Sequence, residues 1–585
     1  MSPTNREIAD TFETVADMLQ LKGENIHRIM AYRNVANSLR ELPRDVAAYA
    51  AEGTLKDIPF VGDILAEKIT ELLTTGKLEF YERLAAEIPP GVVDILRING
   101  VGPKKAVQFW KELNITSVQE LEAAARAGKL RNLAKMGEKS EQKIIEGIEA
   151  LARQNTSRLP LGFALPQAQA ILDYVLTLPG VLQGAIAGSL RRARPTIGDV
   201  DLLVASHDAA PIMDAFVKME SVARVLGHGP TKSSVELHNG LQVDLRVLEP
   251  ARWGTALSYF TGSQAHNIRL RELALQKGYS LNEHAFSPVD ASGTIIADAP
   301  KILCATEEEV YATLGLSWIP PELREDAGEI DMARQNRLPQ LITLADIHAD
   351  MHMHTTWSDG KLSVRDMAEA AKARGRQFIV ITDHSQYSAI ANGLSVERVL
   401  QQQAEIRQVD AEMGPGFRVF HGIELDIRAD GELDYPDEVL AQLDFVIASL
   451  HYSLRQDRAQ ITARLLNAIR NPHVDLIAHP RGQYIPDREP ADLDMDAVFA
   501  AARQSGIALE INANPRRLDL ESGLARRAVE LGIPLAINTD AHSADQMDLL
   551  YFGVLTARRG WVQADSVLNT WPVERFLNWV QNRGK

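Results

Sequence analysis

The chain has the length of a multidomain protein and the composition of a soluble globular one. It contains 585 residues, of which 45% are hydrophobic and 24% are charged, both ordinary values for globular domains. The single cysteine, Cys304, excludes an internal disulfide and a thiolate-rich metal site. The sequence has neither an apolar run of about 18 residues nor an N-terminal signal-like segment, so we expect a cytoplasmic protein without a membrane partner.

The net charge of −16 is unevenly distributed along the chain. Residues 97–158 carry 12 basic and 7 acidic side chains, whereas residues 318–585 carry 28 basic and 39 acidic ones. Phosphate binding depends on local clusters of charge, so the negative total does not exclude a nucleic-acid partner. A helical surface that is merely rich in Lys and Arg explains the basic segment equally well.

Short amphipathic helices joined by glycine turns are predicted for residues 1–160. The segment INGVGPKKAVQFW (98–110) places Gly100 and Gly102 before Lys104 and Lys105. Glycines allow a tight turn that presents backbone N–H groups at a helix N-terminus, where a DNA phosphate can bind. Such contacts position DNA without reading its sequence.

Two further segments repeat this pattern. IPFVGDILAEKI (58–69) has Phe60 in place of the first glycine, and NLAKMGEKSEQKI (132–144) is a weaker copy. One hairpin alone would be interpreted as an ordinary helix-helix turn. Two or three in series favour DNA binding.

The middle of the chain combines closely spaced carboxylates on predicted strands. GAIAGSLRRARPTIGDVDLLVAS (184–206) predicts strand, turn and strand, with Asp199 and Asp201 two residues apart. Side chains at i and i+2 of a strand point to the same face, so both carboxylates meet one site. LQVDLRVL (241–248) offers Asp244 on a second strand that could lie beside the first. Clustered carboxylates are typical of sites for hard divalent cations, although an isolated Asp-x-Asp pair also occurs by chance on surface strands.

The turn before Asp199 has the residues of a phosphate-binding loop. Gly188 and Ser189, with Arg192 just beyond them, could hold a triphosphate. Two Mg²⁺ ions held by the nearby carboxylates could activate a 3′-hydroxyl and stabilise departing pyrophosphate.

These motifs, followed by YFTGS (259–263), resemble those of a family X DNA polymerase. The resemblance covers residues 1–317 and implies that Asp199, Asp201 and Asp244 are the catalytic metal ligands, for Mg²⁺ or Mn²⁺. It implies nucleotide-binding roles for Gly188, Ser189, Arg192, Tyr259, Phe260, Gly262, Asn267 and Arg271. Of these, Tyr259, Phe260 and Gly262 would line the sugar. Asn267 and Arg271 would lie on the helix that closes over the nascent base pair.

The family resemblance also raises the question of a lyase activity in the N-terminal helices. Some family members remove a 5′-deoxyribose phosphate through a lysine Schiff base, and Lys68 lies at the matching position, with His27 and Tyr32 as neighbours. Schiff-base chemistry requires a neutral amine and therefore a lowered lysine pKa. Ile64 and Arg28 stand where lyase-active relatives usually carry lysines, and a solvated lysine that binds phosphate is the slightly favoured alternative.

The stretch from 317 to 342 bears prolines and charges and is poor in periodic apolar residues, which predicts an interdomain linker. After it, strands are predicted near 347–353, 377–382, 418–423, 444–450, 474–478, 507–511 and 534–538, with helical patterns between most of them. Seven strands alternating with helices predict a barrel of parallel strands.

Side chains that favour metals stand at the end of one predicted strand after another. The candidate ligands are His352, His354, Asp359, His384, Glu424, His451, His479, Asp540 and His542. The carboxyl ends of barrel strands meet at one face, so a single pocket should receive all of these side chains and could bind several ions.

The motifs HxH, TDH, GIE, SLH, AHP and NTDAH resemble the polymerase and histidinol phosphatase (PHP) domain over about 346–575. The resemblance implies a distorted seven-stranded barrel that binds three metal ions and hydrolyses phosphoesters. Imidazole-rich ligation favours Mn²⁺, Zn²⁺ or Fe²⁺ over Mg²⁺. A structural site without hydrolysis is the alternative, because related domains in larger polymerases are often inactive.

Together the two resemblances imply a multidomain α/β protein, a bacterial family X polymerase with a PHP tail. We expect the following parts: 1–85, an N-terminal helical, lyase-like domain; 86–160, a helix-hairpin-helix, fingers-like domain; 161–250, an α+β palm; 251–317, a thumb; 318–345, a linker; and 346–575, the distorted (β/α)7 PHP barrel. The expected function is gap-filling repair synthesis on gapped or primer-template DNA with deoxynucleoside triphosphates, by a monomer. A 3′→5′ exonuclease, and an endonuclease acting at abasic sites, are expected of the barrel.

Two other functional classes remain open at this point. In the first, the barrel is a phosphoesterase for a small metabolite and the front half is only a scaffold, a reading that the Asp cluster and YFTGS oppose. In the second, the chain is a non-catalytic bridge between DNA ends. Incorporation of a nucleotide into gapped DNA distinguishes both from a polymerase.

Overall fold

The computed structural model describes residues 3, 5–42, 46–96, 98, 101–134, 136–154 and 158–583. They form two compact units, Met1–Arg158 and Leu159–Lys585. Among the described residues, no helix has the length and apolar character needed to cross a membrane.

The first unit is helical, as its amphipathic patterns predict. Its helices are α1 (Asn5–Lys22), α2 (Ile26–Glu41), α3 (Val46–Glu52), α4 (Asp63–Thr75), α5 (Glu79–Glu87), α6 (Pro90–Ile95), α7 (Pro103–Leu113), α8 (Val118–Arg126) and α9 (Glu138–Gln154). Their apolar faces share one core, which includes Phe12, Tyr32, Phe80 and Phe109.

The described residues of the three predicted hairpins share one feature at the start of the second helix. The carbonyls of Gly62, Gly102 and Gly137 each accept two backbone hydrogen bonds from the first turn of α4, α7 and α9, at 2.9–3.1 Å. A Cβ on any of these glycines would meet no atom within 4 Å, so the space beside each glycine is open. Phe60, which replaces a glycine in the second hairpin, adopts φ +66°, a conformation that costs free energy for any residue with a side chain.

The second unit begins with a mixed five-stranded sheet. In chain order the elements of this region are β1 (Leu159–Pro160), α10 (Leu161–Leu176), β2 (Gln183–Ile186), α11 (Gly188–Arg191), β3 (Thr196–Ile197), β4 (Asp199–Ala205), α12 (Ala210–Phe216), β5 (Val222–His228), β6 (Lys232–Leu237) and β7 (Gln242–Leu248). Strands β1 and β3 pair with each other in a separate two-stranded sheet. The strand order of the five-stranded sheet is β2-β4-β7-β6-β5, and β4 and β7 run parallel at its centre.

A helical region follows this sheet. It contains α13 (Trp253–Thr261), α14 (Gln264–Gln276), β8 (Tyr279–Leu281), β9 (Phe286–Pro288), α15 (Glu307–Thr313) and α16 (Glu329–Arg334). The segment 317–342, predicted as a linker, is packed rather than extended in solvent: Ile319, Leu323, Arg324, Ile330 and Ile342 are all buried. Its prolines and charges disrupt the apolar periodicity, but Glu322, Arg324 and Glu325 are paired inside the protein.

The barrel has the predicted parallel topology. Its strands, which pair in chain order, are β10 (Ala349–Asp350), β11 (Phe378–Ile381), β12 (Arg418–Asp426), β13 (Phe445–Ser449), β14 (Leu476–Ile477), β15 (Ala508–Asn512) and β16 (Leu535–Asn538). One parallel bridge between Met353 and Ala541 joins the first and last strands, so the barrel is nearly closed.

Helices cover the outside and the amino end of the barrel. They are α17 (Val364–Ala373), α18 (Val396–Met413), α19 (Asp437–Leu440), α20 (Arg458–Arg470), α21 (Met495–Ser505), α22 (Ser522–Glu530), α23 (Leu550–Arg559) and α24 (Val573–Asn582). Phe576 of α24 lies 4.9 Å from Phe378, ring centre to ring centre, and also packs on Phe420 and Phe445. These aromatic rings fill the end of the barrel where the strands begin, which leaves the other end for polar side chains.

The five-stranded sheet packs directly on the barrel. Leu518 and Phe552 from the barrel are part of the same apolar core as Leu161 of α10, and Gly162 lies so close to Pro515 that a Cβ there would collide with the proline ring. Burying a side chain such as Phe552 stabilises the contact by ~2 kcal/mol.

Ion pairs extend this contact along the segment 317–342. Glu322 pairs with Arg558, and Glu325 pairs with Arg559, at 2.7 and 2.9 Å. Both arginines lie in the last turn of α23, where a positive charge also complements the helix dipole.

Candidate metal centres and nucleotide site

The three predicted carboxylates of the five-stranded sheet lie on adjacent parallel strands. Asp199 and Asp201 are on β4, and Asp201 is in register with Asp244 on β7. Burial, followed by repulsion from Asp199 and Asp244, raises the pKa of Asp201 to about 6. A divalent cation bound between these carboxylates would reduce the repulsion of their like charges.

Gly188 is placed directly against this cluster. It has φ +62°, and a Cβ built on it would overlap Oδ2 of Asp201. Glycine is therefore required both by the backbone conformation and by the space that the carboxylate occupies. The turn α11 that starts at Gly188 ends at Arg192, so the candidate triphosphate-binding residues border the carboxylates.

Two basic residues that border this site, Lys232 and Arg246, were not predicted from the sequence. Nζ of Lys232 lies 2.6 Å from Oδ2 of Asp244. Burial would raise the pKa of Asp244, but hydrogen bonds from Lys232 and Gln242 lower it. Arg246, two residues beyond Asp244 on β7, is the next strongest influence on Asp201 after the two carboxylates and opposes its pKa rise. Only the antiparallel pairing of β6 with β7 brings Lys232 here.

The residues predicted to contact the sugar and the nascent base pair form one cluster on α13 and α14. The rings of Tyr259 and Phe260 meet edge to face at 5.2 Å, and the Arg246 guanidinium lies 4.3 Å from the Phe260 ring centre. Nδ2 of Asn267 donates to the Tyr259 carbonyl at 2.7 Å. Arg271 borders the same small cavity as Tyr259 and Asn267.

Arg192 is tied to neighbouring groups. Its Nε donates to Glu325 at 3.0 Å and its Nη1 donates to the carbonyl of Thr261 at 2.6 Å. A Cβ on Gly262 would lie 3.1 Å from the same Nη1. Arg192 thus connects α11 with the end of α13.

All nine candidate ligands of the barrel meet at the carboxyl end of its strands. Four overlapping groups have ligand atoms within 4.8 Å of one another: His354, Asp359, His384 and His542; His352, His354 and Glu424; His352, His479 and Asp540; and His384, Glu424 and His451. The overlap means that neighbouring ions would share ligands.

Glu424, which is 1% exposed, is at the centre of these groups. Its carboxylate lies 2.9–3.6 Å from imidazole nitrogens of His352, His354, His384, His451 and His479. Burial would raise the pKa of Glu424, but the nearby imidazoles outweigh it and hold the pKa well below its ordinary value. The carboxylate is therefore ionised.

The donor set fits divalent cations. Nδ1 of His384 and Oε2 of Glu424 lie 2.9 Å apart, yet within the described part of the chain both are buried atoms without a hydrogen bond. Nε2 of His352 is in the same state. Buried polar atoms that face one another without hydrogen bonding have an unfavourable free energy that a shared cation would remove.

Backbone conformation at two ligands is unusual. His479 and Asp540 have φ of +27° and +56°, in the region that residues with a Cβ rarely adopt. Such strain costs ~1–3 kcal/mol at each position and is typical of functional sites. Here it aims side chains that follow β14 and β16 into the pocket.

A second layer of carboxylates orients the imidazoles. Oε1 of Glu510 lies 2.8 Å from Nδ1 of His352, and Oδ1 of Asp426 lies 2.9 Å from Nδ1 of His451. Such pairs fix which ring nitrogen faces a metal ion. Glu510 is missing from the sequence-based ligand set, although a glutamate within the apolar run of β15 was a usable signal.

Arg517 also reaches this pocket. Its Nε lies 3.6 Å from Asp540, and in the described structure its Nη1 is buried without a hydrogen bond. Burial, followed by the charge of Arg517, lowers the pKa of His479 and keeps this ligand neutral. A cation beside the ligand cluster suits an anionic substrate such as a phosphodiester.

The remaining predicted residues lie in the helical unit. Gly102 precedes α7, on whose first turn Lys104 and Lys105 lie, while Gly100 lies outside the described residues. Nζ of Lys68 lies 4.4 Å from the ring centre of Phe80, and burial lowers the Lys68 pKa, with Arg83 and Arg28 adding to the effect against Glu71.

Four known domain families match parts of the chain. A helix-hairpin-helix domain matches residues 3–78, a SAM-like helix-hairpin-helix tandem 92–150, the DNA polymerase beta thumb 256–325 and the PHP domain 350–514. The DNA polymerase/3′-5′ exonuclease PolX of Bacillus subtilis (strain 168) is 38% identical over 577 residues, which is 98% of this chain and 99% of that protein.

Shorter relatives match a part of the chain. A probable phosphatase of Thermoanaerobacter sp. (strain X514) is 30% identical over 236 residues, 38% of this chain and 89% of its own length. A probable phosphatase of Shewanella sp. (strain MR-4) is 31% identical over 245 residues, 40% of this chain and 92% of its own length.

The central position of Glu424 leads to a prediction about metal content. The Glu424→Gln variant keeps the shape of the side chain but loses its charge, so we expect its Mn²⁺ affinity to fall by at least ~100-fold, more than a second-layer change would cause. Glu432→Gln, an exposed change on the same barrel, should bind Mn²⁺ as the unchanged protein does. Calorimetric titration measures both, and equal affinities of the two variants would contradict the assignment.

Proposed function

Because the chain belongs to the family X DNA polymerases that carry a PHP domain, we propose that it is a DNA repair enzyme with two separate metal-dependent active sites. One site adds nucleotides to a primer in gapped or primer-template DNA, and the other removes nucleotides from a 3′ end. The observation that carries the proposal is the presence, in one compact unit, of the Asp201–Asp244 register and of the nine-ligand barrel pocket.

For nucleotidyl transfer, Asp199, Asp201 and Asp244 would bind two Mg²⁺ or Mn²⁺ ions. These ions would supply activation of the primer 3′-hydroxyl and charge neutralisation for the departing pyrophosphate. Gly188 and Ser189 would receive the triphosphate through the backbone of α11.

The side chains of α13 and α14 would select the incoming nucleotide. Tyr259, Phe260 and Gly262 would border the sugar, and the position of Gly262 next to Arg192 supports a shared site for sugar and phosphates. Asn267 and Arg271, one turn apart on α14, would contact the nascent base pair. Arg192 would add a positive charge beside the triphosphate.

For hydrolysis, the nine barrel residues would bind three Mn²⁺, Zn²⁺ or Fe²⁺ ions, the metals that imidazole-rich sites prefer. Such ions would supply an activated water for attack on the phosphodiester. Glu510 and Asp426 would hold His352 and His451 in the required orientation, and Arg517 would attract the phosphate. The same chemistry would allow cleavage at abasic sites.

We assign the parts of the chain as follows: 1–85 lyase-like, 86–160 fingers-like, 161–250 palm, 251–317 thumb, 318–345 connecting segment and 346–575 PHP barrel. The glycine turn before α7 supports binding of DNA phosphates by the second part, because the first turn of α7 carries Lys104 and Lys105 and no acidic side chain. The protein would act as a monomer.

Separate active sites lead to opposite mutant phenotypes. We expect Asp199→Ala to lower incorporation into one-nucleotide-gapped DNA by at least ~100-fold while Mn²⁺-dependent digestion of a single-stranded 3′ end is retained, since loss of a ligand should exceed the effect of a second-layer change. His352→Ala should do the reverse. The retained activity serves in each case as the control for folding, and loss of both activities in either variant would contradict separate sites.

The close approach of Gly188 to Asp201 leads to a second prediction. Gly188→Ala should abolish incorporation, because the added methyl group displaces the carboxylate. Gly240→Ala is the matched control: it also has positive φ, but a Cβ there meets no atom within 4 Å. The control should lose ~1–2 kcal/mol of stability and keep its activity, so equal loss of incorporation in both variants would reject the role of the collision.

A 5′-deoxyribose phosphate lyase is a second candidate activity, supported by the lowered pKa of Lys68. A lowered pKa increases the fraction of neutral amine that can form a Schiff base. We expect borohydride to trap the protein on DNA that bears a 5′-deoxyribose phosphate, and Lys68→Arg to prevent trapping. Lys77→Arg, an exposed change in the same unit, is the control, and equal trapping of all three proteins would exclude Lys68.

A further inference from the structure

A carboxylate between the two proposed active sites binds arginines from both sides. Glu325 lies in the segment 317–342, and its Oε1 is 3.0 Å from Nε of Arg192, 3.8 Å from Nη1 of Arg194 and 2.9 Å from Nη1 of Arg559. Arg192 and Arg194 follow the turn that begins at Gly188, whereas Arg559 ends α23 of the barrel. One carboxylate is therefore shared by guanidinium groups of the palm and of the barrel.

Arg559 also contacts Arg192 directly. Its Nη1 donates to the backbone carbonyl of Arg192 at 2.6 Å. This carbonyl belongs to the C-terminal cap of α11, where a cation stabilises the unpaired carbonyls of a helix end. The turn carrying Gly188 and Ser189 is thus held by a side chain of the barrel.

Glu325 stays ionised although it is largely buried. Burial would raise the pKa of Glu325, but Arg559 and Arg192 outweigh it and lower the pKa to about 2, so the carboxylate is ionised at neutral pH. The Arg559 side chain is 5% exposed. Among Glu325 and its three guanidinium partners, positive charge exceeds negative charge, and such an excess beside the proposed triphosphate site favours an anion.

We propose that Arg559 of the barrel is a positioning residue for nucleotide binding in the palm. It acts on the position of Arg192 through its contacts with Glu325 and with the Arg192 carbonyl. The inference rests on the proposed function, because it requires that Arg192 contacts the triphosphate. Arg559 shares Glu325 with Arg192 and so limits the strength of the Arg192–Glu325 pair. Arg192 can then exchange this contact for a phosphate oxygen, while the hydrogen bond from Arg559 keeps the α11 turn in place.

Removal of Arg559 should therefore weaken nucleotide binding and leave chemistry largely unchanged. In Arg559→Gln, Glu325 would pair more tightly with Arg192, and the cap of α11 would lose its charged donor. We expect KM for the deoxynucleoside triphosphate on one-nucleotide-gapped DNA to rise about tenfold, which corresponds to ~1.4 kcal/mol, with kcat changed less than about threefold. Arg559→Lys, which keeps the charge but not the planar fork, should recover part of the loss.

The chain offers a closely matched control. Arg558 precedes Arg559 in the same helix turn. It pairs with Glu322 of the same segment at 2.7 Å, and its Nη1 donates to the carbonyl of Ile342 at 3.0 Å. Arg558→Gln should therefore leave KM unchanged. In a double-mutant cycle, Glu325→Gln should reduce the effect of Arg559→Gln, because the two residues act through one contact.

The outcomes separate three cases. A rise in KM confined to the Arg559 variants, with Mn²⁺-dependent digestion of a single-stranded 3′ end retained, supports the inference. Equal KM values for Arg558→Gln and Arg559→Gln, or a fall in kcat alone as expected from a smaller folded fraction, overturn it while the proposed polymerase function stands. Failure of the unchanged protein to incorporate any nucleotide overturns both.

Discussion

The buried carboxylate of Glu424 is the group on which the barrel pocket depends. A carboxylate so far from water requires positive partners, and the surrounding imidazoles supply them at 2.9–3.6 Å. The parallel strands bring these imidazoles to one face, and the aromatic plug around Phe576 closes the opposite end. Polar groups are thereby confined to the end where cations can enter, and the strained backbone at His479 and Asp540 is a local cost of bringing their side chains inward.

The palm site also brings together carboxylates that require positive partners. Three carboxylates converge on β4 and β7 because a parallel register aligns Asp201 with Asp244. Burial, followed by the repulsion between them, raises the pKa of Asp201, and Arg246 and Lys232 oppose only part of this rise. Both sites therefore hold groups whose free energy would fall on cation binding, one with hard oxygen donors and one rich in imidazole.

The two sites belong to one packed unit, which gives the connecting segment a structural role. Its acidic side chains form ion pairs with the last turn of α23, and its apolar side chains are buried. Contacts of this kind restrain the barrel relative to the palm more than an exposed linker would. A change in α23 can therefore reach the α11 turn through a short chain of hydrogen bonds, although the two belong to different functional parts.

The local patterns of the sequence determined which elements form and which faces carry chemistry. The spacing of Asp199 and Asp201, and the apolar runs that end in a histidine or carboxylate, depend only on the period of a strand. Which strands are neighbours, and in what register, depends on contacts between residues far apart in the chain. For that reason only the tertiary structure revealed Lys232 beside Asp244 and Arg559 against the Arg192 carbonyl. It also placed Glu510, whose position in an apolar run was a usable signal, behind the imidazoles. The burial of Ile319, Leu323 and Arg324 within 317–342 was likewise decided by tertiary structure, because charges and prolines suggest exposure until their partners are known.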